Sequence, residues 1–189
     1  MSLRKDQIKS TAQTMFKERG FAATSMRDLA KEVGIEPASL YSHISSKEEL
    51  LSEICFQIAD EFNEALLKVE RMDLQSDQML KAAILAHVQV IINNLDASGV
   101  FLHEWRFLKR DNLLRFKELR NNYEERFRNM IVDGQSEFIF KEGNEDFTVR
   151  TIFSSLNWIY EWYLPSGAMT PEDIAEELSS LILNGIRII

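Results

Sequence analysis

The 189-residue sequence predicts an all-α fold of about nine helices, with an N-terminal helix-turn-helix head and a larger C-terminal helical body. Three observations predict this fold. The chain holds only seven Gly and three Pro, too few for a fold rich in turns. Apolar residues recur every three or four positions along most of the chain. Residues that start and stop helices stand at the ends of these periodic stretches.

The first three predicted helices are separated by glycines. The first spans about 3–19 and ends at Gly20. The second spans about 24–33 and is followed, after Gly34, by a third at about 37–44. Two short helices joined by a glycine turn are the pattern of a helix-turn-helix.

A long fourth helix is predicted from Ser46 to about Glu70. Ser46 and Glu49 have the spacing of a capping box, in which the Glu49 side chain reaches back to the backbone N–H of Ser46. The remaining predicted helices span about 76–96, 100–109, 112–140, 146–164 and 171–188.

Charge divides the chain into two predicted domains, 1–47 and 48–189. Residues 1–47 carry eight Lys or Arg against five Asp or Glu, whereas the rest of the chain carries 14 against 25. A basic head on an acidic body can meet nucleic-acid phosphates with the head alone, although chance alone also produces such an asymmetry.

Several classes are disfavoured by composition. The single cysteine, Cys55, excludes an internal disulfide framework and a cysteine-rich zinc site. None of the three histidines follows a glutamate at the spacing of a helical di-iron site. We therefore expect no enzyme, no metal and no cofactor. No signal peptide or membrane-length apolar run is visible, so we expect a cytoplasmic protein without a membrane partner.

A family resemblance rests on residues 8–51. The motifs that carry it are Phe16-Lys17-Glu18-Arg19-Gly20-Phe21, Thr24-Ser25-Met26-Arg27-Asp28-Leu29-Ala30, Val33-Gly34-Ile35 and Leu40-Tyr41-Ser42-His43-Ile44-Ser45-Ser46-Lys47-Glu48-Glu49-Leu50. In this stretch the sequence resembles the TetR (tetracycline repressor) family. The resemblance implies a helical homodimer whose paired heads bind palindromic double-stranded operator DNA.

The resemblance also implies the residues that contact DNA. Those expected at the phosphate backbone are Tyr41, His43, Lys47 and Arg27. Those expected to face the bases are Pro37, Ala38, Ser39 and Ser42. Glu36-Pro37 departs from the usual entry to this helix, so sequence preference does not transfer from relatives. Taken singly, Tyr41 could instead be a core aromatic and His43 a solvated cap.

The two C-terminal helices are candidates for a dimer interface. Segment 149–163 is apolar nearly all round, and segment 174–186 carries a further apolar face with Gly185. In the resembled family, the last two helices of each subunit build a four-helix interface. The alternative is that both helices lie in the core of a monomer.

A ligand pocket needs apolar walls and a few polar groups. The candidates are His87, Phe101, His103, Trp105, Arg106, Arg120, Tyr123, Phe127, Asn157, Trp158, Glu161 and Trp162. Each of them, taken alone, could also be an ordinary core or surface residue.

Residues 103–130 carry eight Lys or Arg against five acids. A cationic patch beside aromatic residues suits an anionic, partly apolar ligand. The alternative is pairing within the helix with Glu118, Glu124 and Glu125 on a solvated face.

A second resemblance covers the C-terminal half. It rests on His103-Glu104-Trp105-Arg106, on Phe116, Arg120, Tyr123, Glu124, Phe127 and Arg128, and on Asn157-Trp158-Ile159-Tyr160-Glu161-Trp162-Tyr163 with the downstream Pro171-Glu172-Asp173-Ile174-Ala175. These residues are similar to a TetR branch that controls fatty-acid and sterol degradation and senses acyl-CoA thioesters. The resemblance implies that Arg106, Arg120, Trp158 and Trp162 touch a CoA ester.

We therefore expect a ligand-responsive transcriptional repressor that a small hydrophobic effector releases from its operator. Helix 46–70 would transmit the effect, because no flexible linker follows the head. Two alternatives stay open: a repressor that responds to a hydrophobic drug or aromatic compound, and a helical ligand-binding protein that does not bind DNA.

Overall fold

A computed structural model describes residues 3–188. Within this range ten α-helices, one 3₁₀ helix and one isolated β-bridge account for the regular structure, which confirms the all-α prediction. The α-helices are α1 Leu3–Arg19, α2 Met26–Val33, α3 Pro37–Tyr41, α4 Lys47–Glu70, α5 Ser76–Asn93, α6 Leu95–His103, α7 Arg110–Ser136, α8 Glu145–Leu156, α9 Ile159–Trp162 and α10 Pro171–Ile186, and the 3₁₀ helix is Glu104–Phe107.

The chain forms two compact units. The first unit holds the residues up to Ala59 together with Asn94–Glu118, and the second holds Asp60–Asn93 together with the residues from Leu119 onward. Helices α4 and α7 contribute residues to both units. The predicted boundary at residue 47 divides the chain by function, into a DNA-binding head and a ligand-sensing body, and it stays a prediction. Residues 1, 2 and 189 of the two predicted domains lie outside the described range.

In the first unit, α1 packs against α2 and α6, and α2 packs against α3. The apolar residues that recur along α1 at helical spacing are buried, with Ile8, Ala12 and Phe16 inaccessible to solvent. Leu40 of α3 is equally buried. Burial of these residues fixes α1 as the support of α2.

In the second unit, α5 packs against α8, α9 and α10. Its buried residues lie nearly all round the helix and include Leu80, Ile84, His87 and Ile91. A helix that is apolar on several sides belongs at the centre of its unit.

One local prediction was wrong, and a second, the capping box at Ser46 and Glu49, was confirmed only for the bond from the Glu49 N–H to Ser46. Segment 146–164 is two helices, α8 and α9, separated at Asn157 and Trp158. The predicted Glu49 cap is shifted by one residue, because the Glu49 carboxylate accepts from the backbone N–H of Ser45, while the backbone N–H of Glu49 donates to Ser46 Oγ.

No single helix in residues 3–188 has the length and apolar character needed to cross a membrane. The bent pair Ser76–Asn93 and Leu95–Phe107 is long and apolar enough only when both helices are counted together, by length and composition alone.

Candidate nucleic-acid interface and aromatic clusters

Helix α2 is fixed at its start by a complete capping box. Ser25 Oγ accepts from the backbone N–H of Asp28 at 3.1 Å, and the Asp28 carboxylate accepts from the backbone N–H of Ser25 at 3.1 Å. The Ser25 hydroxyl and the Ser25 backbone N–H both donate to the Asp28 carboxylate, and these two bonds lower the pKa of Asp28 because they favour its charged form. The N-terminus of α2 is therefore set by local sequence.

The turn after α2 needs a glycine. Gly34 has φ 75°, a left-handed conformation that side chains with a Cβ rarely adopt. The next N–H, from Ile35, donates back to Ala30 O at 2.9 Å. Pro37 then opens α3 at its first turn, where a missing N–H costs nothing. Together these features form the predicted helix-turn-helix.

One face of the helix-turn-helix is open to solvent. Tyr41 keeps 54% of its surface exposed, while His43 is half-buried. The remaining exposed residues among those expected at DNA are Arg27, Pro37, Ala38, Ser39 and Ser42. The Ser42 hydroxyl donates to Ser39 O at 2.7 Å, so its oxygen remains available as an acceptor. Seven of the eight expected residues thus lie on exposed or half-buried positions of α2, α3 and the following turn.

The eighth, Lys47, is occupied within the head. Its ammonium donates to the carbonyl oxygens of Phe21 and Thr24, both at 2.7 Å. It also lies 4.2 Å from the centre of the Phe21 ring. An ammonium has three donors, so one remains for a phosphate. The main contact of Lys47 is with the turn between α1 and α2.

Glu104, whose role the sequence did not predict, also holds this turn. The backbone N–H of Phe21 donates to Glu104 Oε2 at 3.0 Å. Asp96 of α6 accepts from Thr14 Oγ1 at 2.7 Å and from Lys17 Nζ at 3.0 Å. Burial raises the pKa of Asp96, but these two donors outweigh burial and leave it lowered. No local pattern reveals either carboxylate, because each partner lies about eighty residues away.

A cluster of aromatic and basic side chains is built around Trp105, the residue after Glu104. The Trp105 ring stacks on Phe116, with centroids 5.8 Å apart and an interplanar angle of 20°. The Arg106 guanidinium lies 4.6 Å and the Lys117 ammonium 5.9 Å from the Trp105 ring centre. We call Trp105, Arg106, Phe116 and Lys117 the Trp105 cluster. It places two cations beside one half-buried indole.

The basic segment contains cations that are paired with carboxylates and cations that are not. Arg120 pairs with Glu124 at 3.2 Å, and Arg128 pairs with Glu125, as expected for a solvated helix face. By contrast, Arg106 and Lys117 have no ion pair with any carboxylate of the described residues. Their charge is therefore available to an anion.

His87 lies at the centre of a second aromatic group, in the second unit. Its Nε2 lies 3.2 Å from Asn157 Oδ1, and its Nδ1 lies 3.1 Å from the Tyr123 hydroxyl. Phe62 stacks on the imidazole at 4.4 Å, and Phe153 approaches it edge-on at 5.5 Å. We call His87, Tyr123, Asn157, Phe62 and Phe153 the His87 cluster. Phe127 adjoins it through Tyr123, at 5.5 Å between ring centroids.

Burial keeps His87 neutral by lowering its pKa to about 3, against the smaller opposing effect of the Asn157 bond. Since a carbonyl oxygen only accepts, Nε2 carries the proton and donates to Asn157. The Tyr123 hydroxyl then donates to Nδ1, and burial raises its pKa. The bond from His87 ends on Asn157, the residue where α8 ends and which helix periodicity did not predict as a break.

The other predicted ligand residues are dispersed. Phe101 contacts Phe116 at 5.1 Å, and His103 is exposed at the end of α6. Trp158 and Trp162 lie on the surface, with 65% and 41% of their area exposed. Glu161, which precedes Trp162, is exposed, and its carboxylate accepts from the Tyr160 hydroxyl. Their role in ligand binding stays a prediction.

An apolar groove of about 390 Å³ runs between α8 and α10. Phe147 and Leu181 line it, and each leaves 72% of its surface exposed. Gly185 also lines the groove, and nothing within 4 Å would meet a Cβ at this position. Exposed apolar area of this kind is typical of an interaction surface.

A capped helix, a glycine turn and an exposed second helix on an all-α body define a helix-turn-helix transcription regulator. The chain belongs to the tetR family of bacterial regulatory proteins. The model of that family matches residues 8–54, and the model of the tetracyclin repressor-like C-terminal domain matches residues 73–186. Ligand-responsive DNA-binding regulation, rather than catalysis, is thus its class of activity.

Two relatives share the name KstR2. The HTH-type transcriptional repressor KstR2 of Rhodococcus jostii (strain RHA1) is 27% identical over 97% of this chain and 91% of its own length. The structure of the ketosteroid transcriptional regulator KstR2 of Mycobacterium tuberculosis matches with a TM-score of 0.94 at 22% identity, and covers 100% of this chain and 97% of its own.

A second similar structure is that of a complex. The crystal structure of AibR in complex with isovaleryl coenzyme A and operator DNA matches with a TM-score of 0.82 at 23% identity, over 94% of this chain and 97% of its own. At this identity the likeness concerns the fold.

Proposed function

We propose that the chain is a cytoplasmic homodimeric repressor that binds a palindromic operator through the exposed face of α2 and α3. The observation that carries the DNA site is the exposure of Tyr41 beside small residues of α3 and the hydroxyl groups of Ser39 and Ser42. A helix that enters the major groove needs such groups to reach base edges. Arg27, Tyr41, His43 and the remaining donor of Lys47 would contact phosphates.

The DNA site is tested with an operator selected from a random duplex library. Fluorescence anisotropy over a salt series is expected to show binding that weakens steeply as salt rises. Replacing Tyr41 by Ala should weaken binding by about tenfold, since it removes a phosphate hydrogen bond. Leu114→Ala is the matched control, because Leu114 is 62% exposed and lies outside α2 and α3. Equal affinity of Y41A and the parent would refute the proposed face.

We also propose that the face of α8 and α10 that carries this groove packs against the same face of a second copy of the chain. The apolar side chains of Phe147 and Leu181 would be buried there, and Gly185 would allow two α10 helices to approach closely. Dimerisation matters for affinity because two heads held about one DNA turn apart double the phosphate and base contacts.

Native mass spectrometry tests this interface. Leu181→Glu should give monomers, since it places a charge in an apolar contact, and should weaken operator binding at the same time. Leu164→Glu is the matched control, because Leu164 is equally exposed but does not line the groove. A dimeric L181E variant would exclude this groove as the interface.

For the effector we propose an acyl-CoA ester, held at its nucleotide end by the Trp105 cluster. Two cations beside one indole suit a phosphate-bearing aromatic group, since the indole offers a stacking surface and the cations offer charge-assisted bonds. The similar AibR structure with isovaleryl coenzyme A supports this class of effector. Binding would shift the regulator towards a state with lower operator affinity.

Isothermal titration with decanoyl-CoA, free CoA and decanoate tests the class of effector. We expect the ester to bind and decanoate alone to bind poorly. The double variant Arg106→Gln, Lys117→Gln should lose about tenfold or more in affinity for the ester, because it removes two charge-assisted contacts. Arg110→Gln is the control, since Arg110 is also exposed but does not contact the Trp105 ring. Ester binding that is unchanged in the double variant would refute this site.

A hydrophobic or aromatic effector without phosphate is the second candidate. The His87 cluster favours it, because the amide N–H of Asn157, beside the aromatic rings of the cluster, would match an apolar ligand with a carbonyl group. His87→Phe should then abolish the response, whereas the R106Q and K117Q substitutions should leave it unchanged.

A further inference from the structure

Phe21, in the turn between α1 and α2, is held from three directions. Glu104 Oε2 accepts from its N–H at 3.0 Å, and Lys47 donates to its carbonyl at 2.7 Å. Its ring lies between Phe16, at 5.2 Å, and Phe107, at 5.3 Å. The turn leads within four residues to Ser25, the cap of α2. A shift of this turn therefore shifts the start of the helix-turn-helix.

Two of these contacts come from a single short element. Glu104 and Phe107 are the first and last residues of the 3₁₀ helix, and a 3₁₀ helix has three residues per turn. Residues 104 and 107 therefore share one side, which faces Phe21. The intervening Trp105 instead packs on Phe116.

The same segment is attached to the head a second time. Asp96, in the first turn of α6, binds Thr14 and Lys17 near the end of α1. Helix α6 runs from this contact directly into the 3₁₀ helix, since His103 and Glu104 are adjacent. A movement of α6 along its axis would therefore be opposed by the bonds of Asp96 to α1, and it would reach the Phe21 turn through Glu104.

We propose that Glu104 is a positioning residue that couples the Trp105 cluster to the helix-turn-helix through the N–H of Phe21. The coupling rests on the proposed effector site. When a ligand moves Trp105, the four-residue helix turns as a unit, and the Glu104 carboxylate leaves the Phe21 N–H. By linkage, operator binding alters the surroundings of Trp105 even when no effector is present.

This reciprocity allows a test that needs no effector. In a Trp158→Phe, Trp162→Phe background, Trp105 is the remaining tryptophan of the three. Its emission is recorded with and without a saturating duplex selected by the parent protein, while the anisotropy of the labelled duplex reports DNA binding separately. We expect a change in emission on DNA binding that is lost in Glu104→Ala and retained in Glu104→Gln, whose side-chain carbonyl still accepts from Phe21.

Glu118→Ala is the matched control, because Glu118 is exposed and sits beside Lys117 in sequence. In a second arm with decanoyl-CoA as probe, the ratio of operator affinities without and with the probe should fall from about tenfold in the parent towards one in E104A. Failure of the parent to bind any duplex would refute the DNA site, and failure of decanoyl-CoA to act on the parent would refute the effector class. If the parent binds DNA with no change in Trp105 emission, or if E104A shows the full change, the coupling role is wrong.

Discussion

The ammonium of Lys47 lies 2.7 Å from the carbonyl oxygen of Phe21 and 4.2 Å from the centre of the Phe21 ring. The first residue of α4 thus closes the turn that precedes α2. A lysine expected from sequence to bind phosphate has most of its donors in use inside the head.

Replacing Lys47 by Met should lower the free energy of unfolding by about 1–3 kcal/mol, since two charged hydrogen bonds to carbonyl oxygens are lost. Urea denaturation measures this change. Lys31→Met, at an exposed position of α2, should stay within about 0.5 kcal/mol of the parent. If the two variants are equally stable, Lys47 does not fix the turn.

His87 predicts a pH dependence of stability. Burial lowers its pKa to about 3 in the folded chain, whereas the unfolded residue titrates near its ordinary value of 6.5. Between these values only the unfolded chain binds the proton, so His87 makes stability fall as pH falls, by about 1.4 kcal/mol per pH unit below pH about 6.

Urea denaturation at several pH values checks the sign and the slope. The difference between the parent and His87→Gln should grow smaller as the solution is acidified, because the variant lacks this titration. His103→Gln, at an exposed position, is the control and should follow the parent curve. Parallel curves for the parent and H87Q would show that His87 is not buried in its neutral form.

Gly134 of α7 lies against the buried ring of Phe140, and a Cβ at Gly134 would overlap ring atoms Cδ2 and Cε2. Gly134→Ala should therefore cost about 1–3 kcal/mol of stability by overpacking. Thermal unfolding compares it with Gly143→Ala, where nothing within 4 Å meets the new methyl group. Adding Phe140→Leu should recover part of the loss, and an undiminished Tm for G134A would contradict the packing.

A substitution at Gly185 should affect the stability of the fold and the dimer affinity differently. Nothing within 4 Å meets a Cβ there, so Gly185→Ala should keep or raise the stability of α10, by up to about 1 kcal/mol. At a close helix–helix contact the same methyl group should weaken dimerisation by about tenfold. Analytical ultracentrifugation measures the dimer affinity, with Asn184→Ala as control. Unchanged dimerisation of G185A would argue against close approach at this position.

Cys55 should be inert in the folded chain. It is fully buried on α4, and burial raises its pKa to about 12, so the reactive thiolate is scarce at neutral pH. A chromogenic disulfide reagent should react slowly with the native protein and rapidly in urea. Ser154→Cys places a thiol at an exposed site and should react at once in both conditions. Fast labelling of native Cys55 would contradict its burial.

Local sequence determined the helical class and the helix-turn-helix. Ser25 and Asp28 cap α2, Gly34 supplies the left-handed turn, and Pro37 opens α3, each through interactions between residues close in the chain. Such interactions leave a signature in a short window of sequence, which is why these elements were predicted with nearly correct bounds.

Tertiary structure decided what the polar residues contact. Glu104 accepts from Phe21, His87 donates to Asn157 at the end of α8, and Lys47 donates to carbonyl oxygens. These partners lie 83, 70 and 26 residues apart, and no periodicity encodes a bond across such distances. Burial makes the His87 bonds obligatory, because a desolvated polar group without a partner is costly, and partial burial favours the bonds of Glu104 and Lys47.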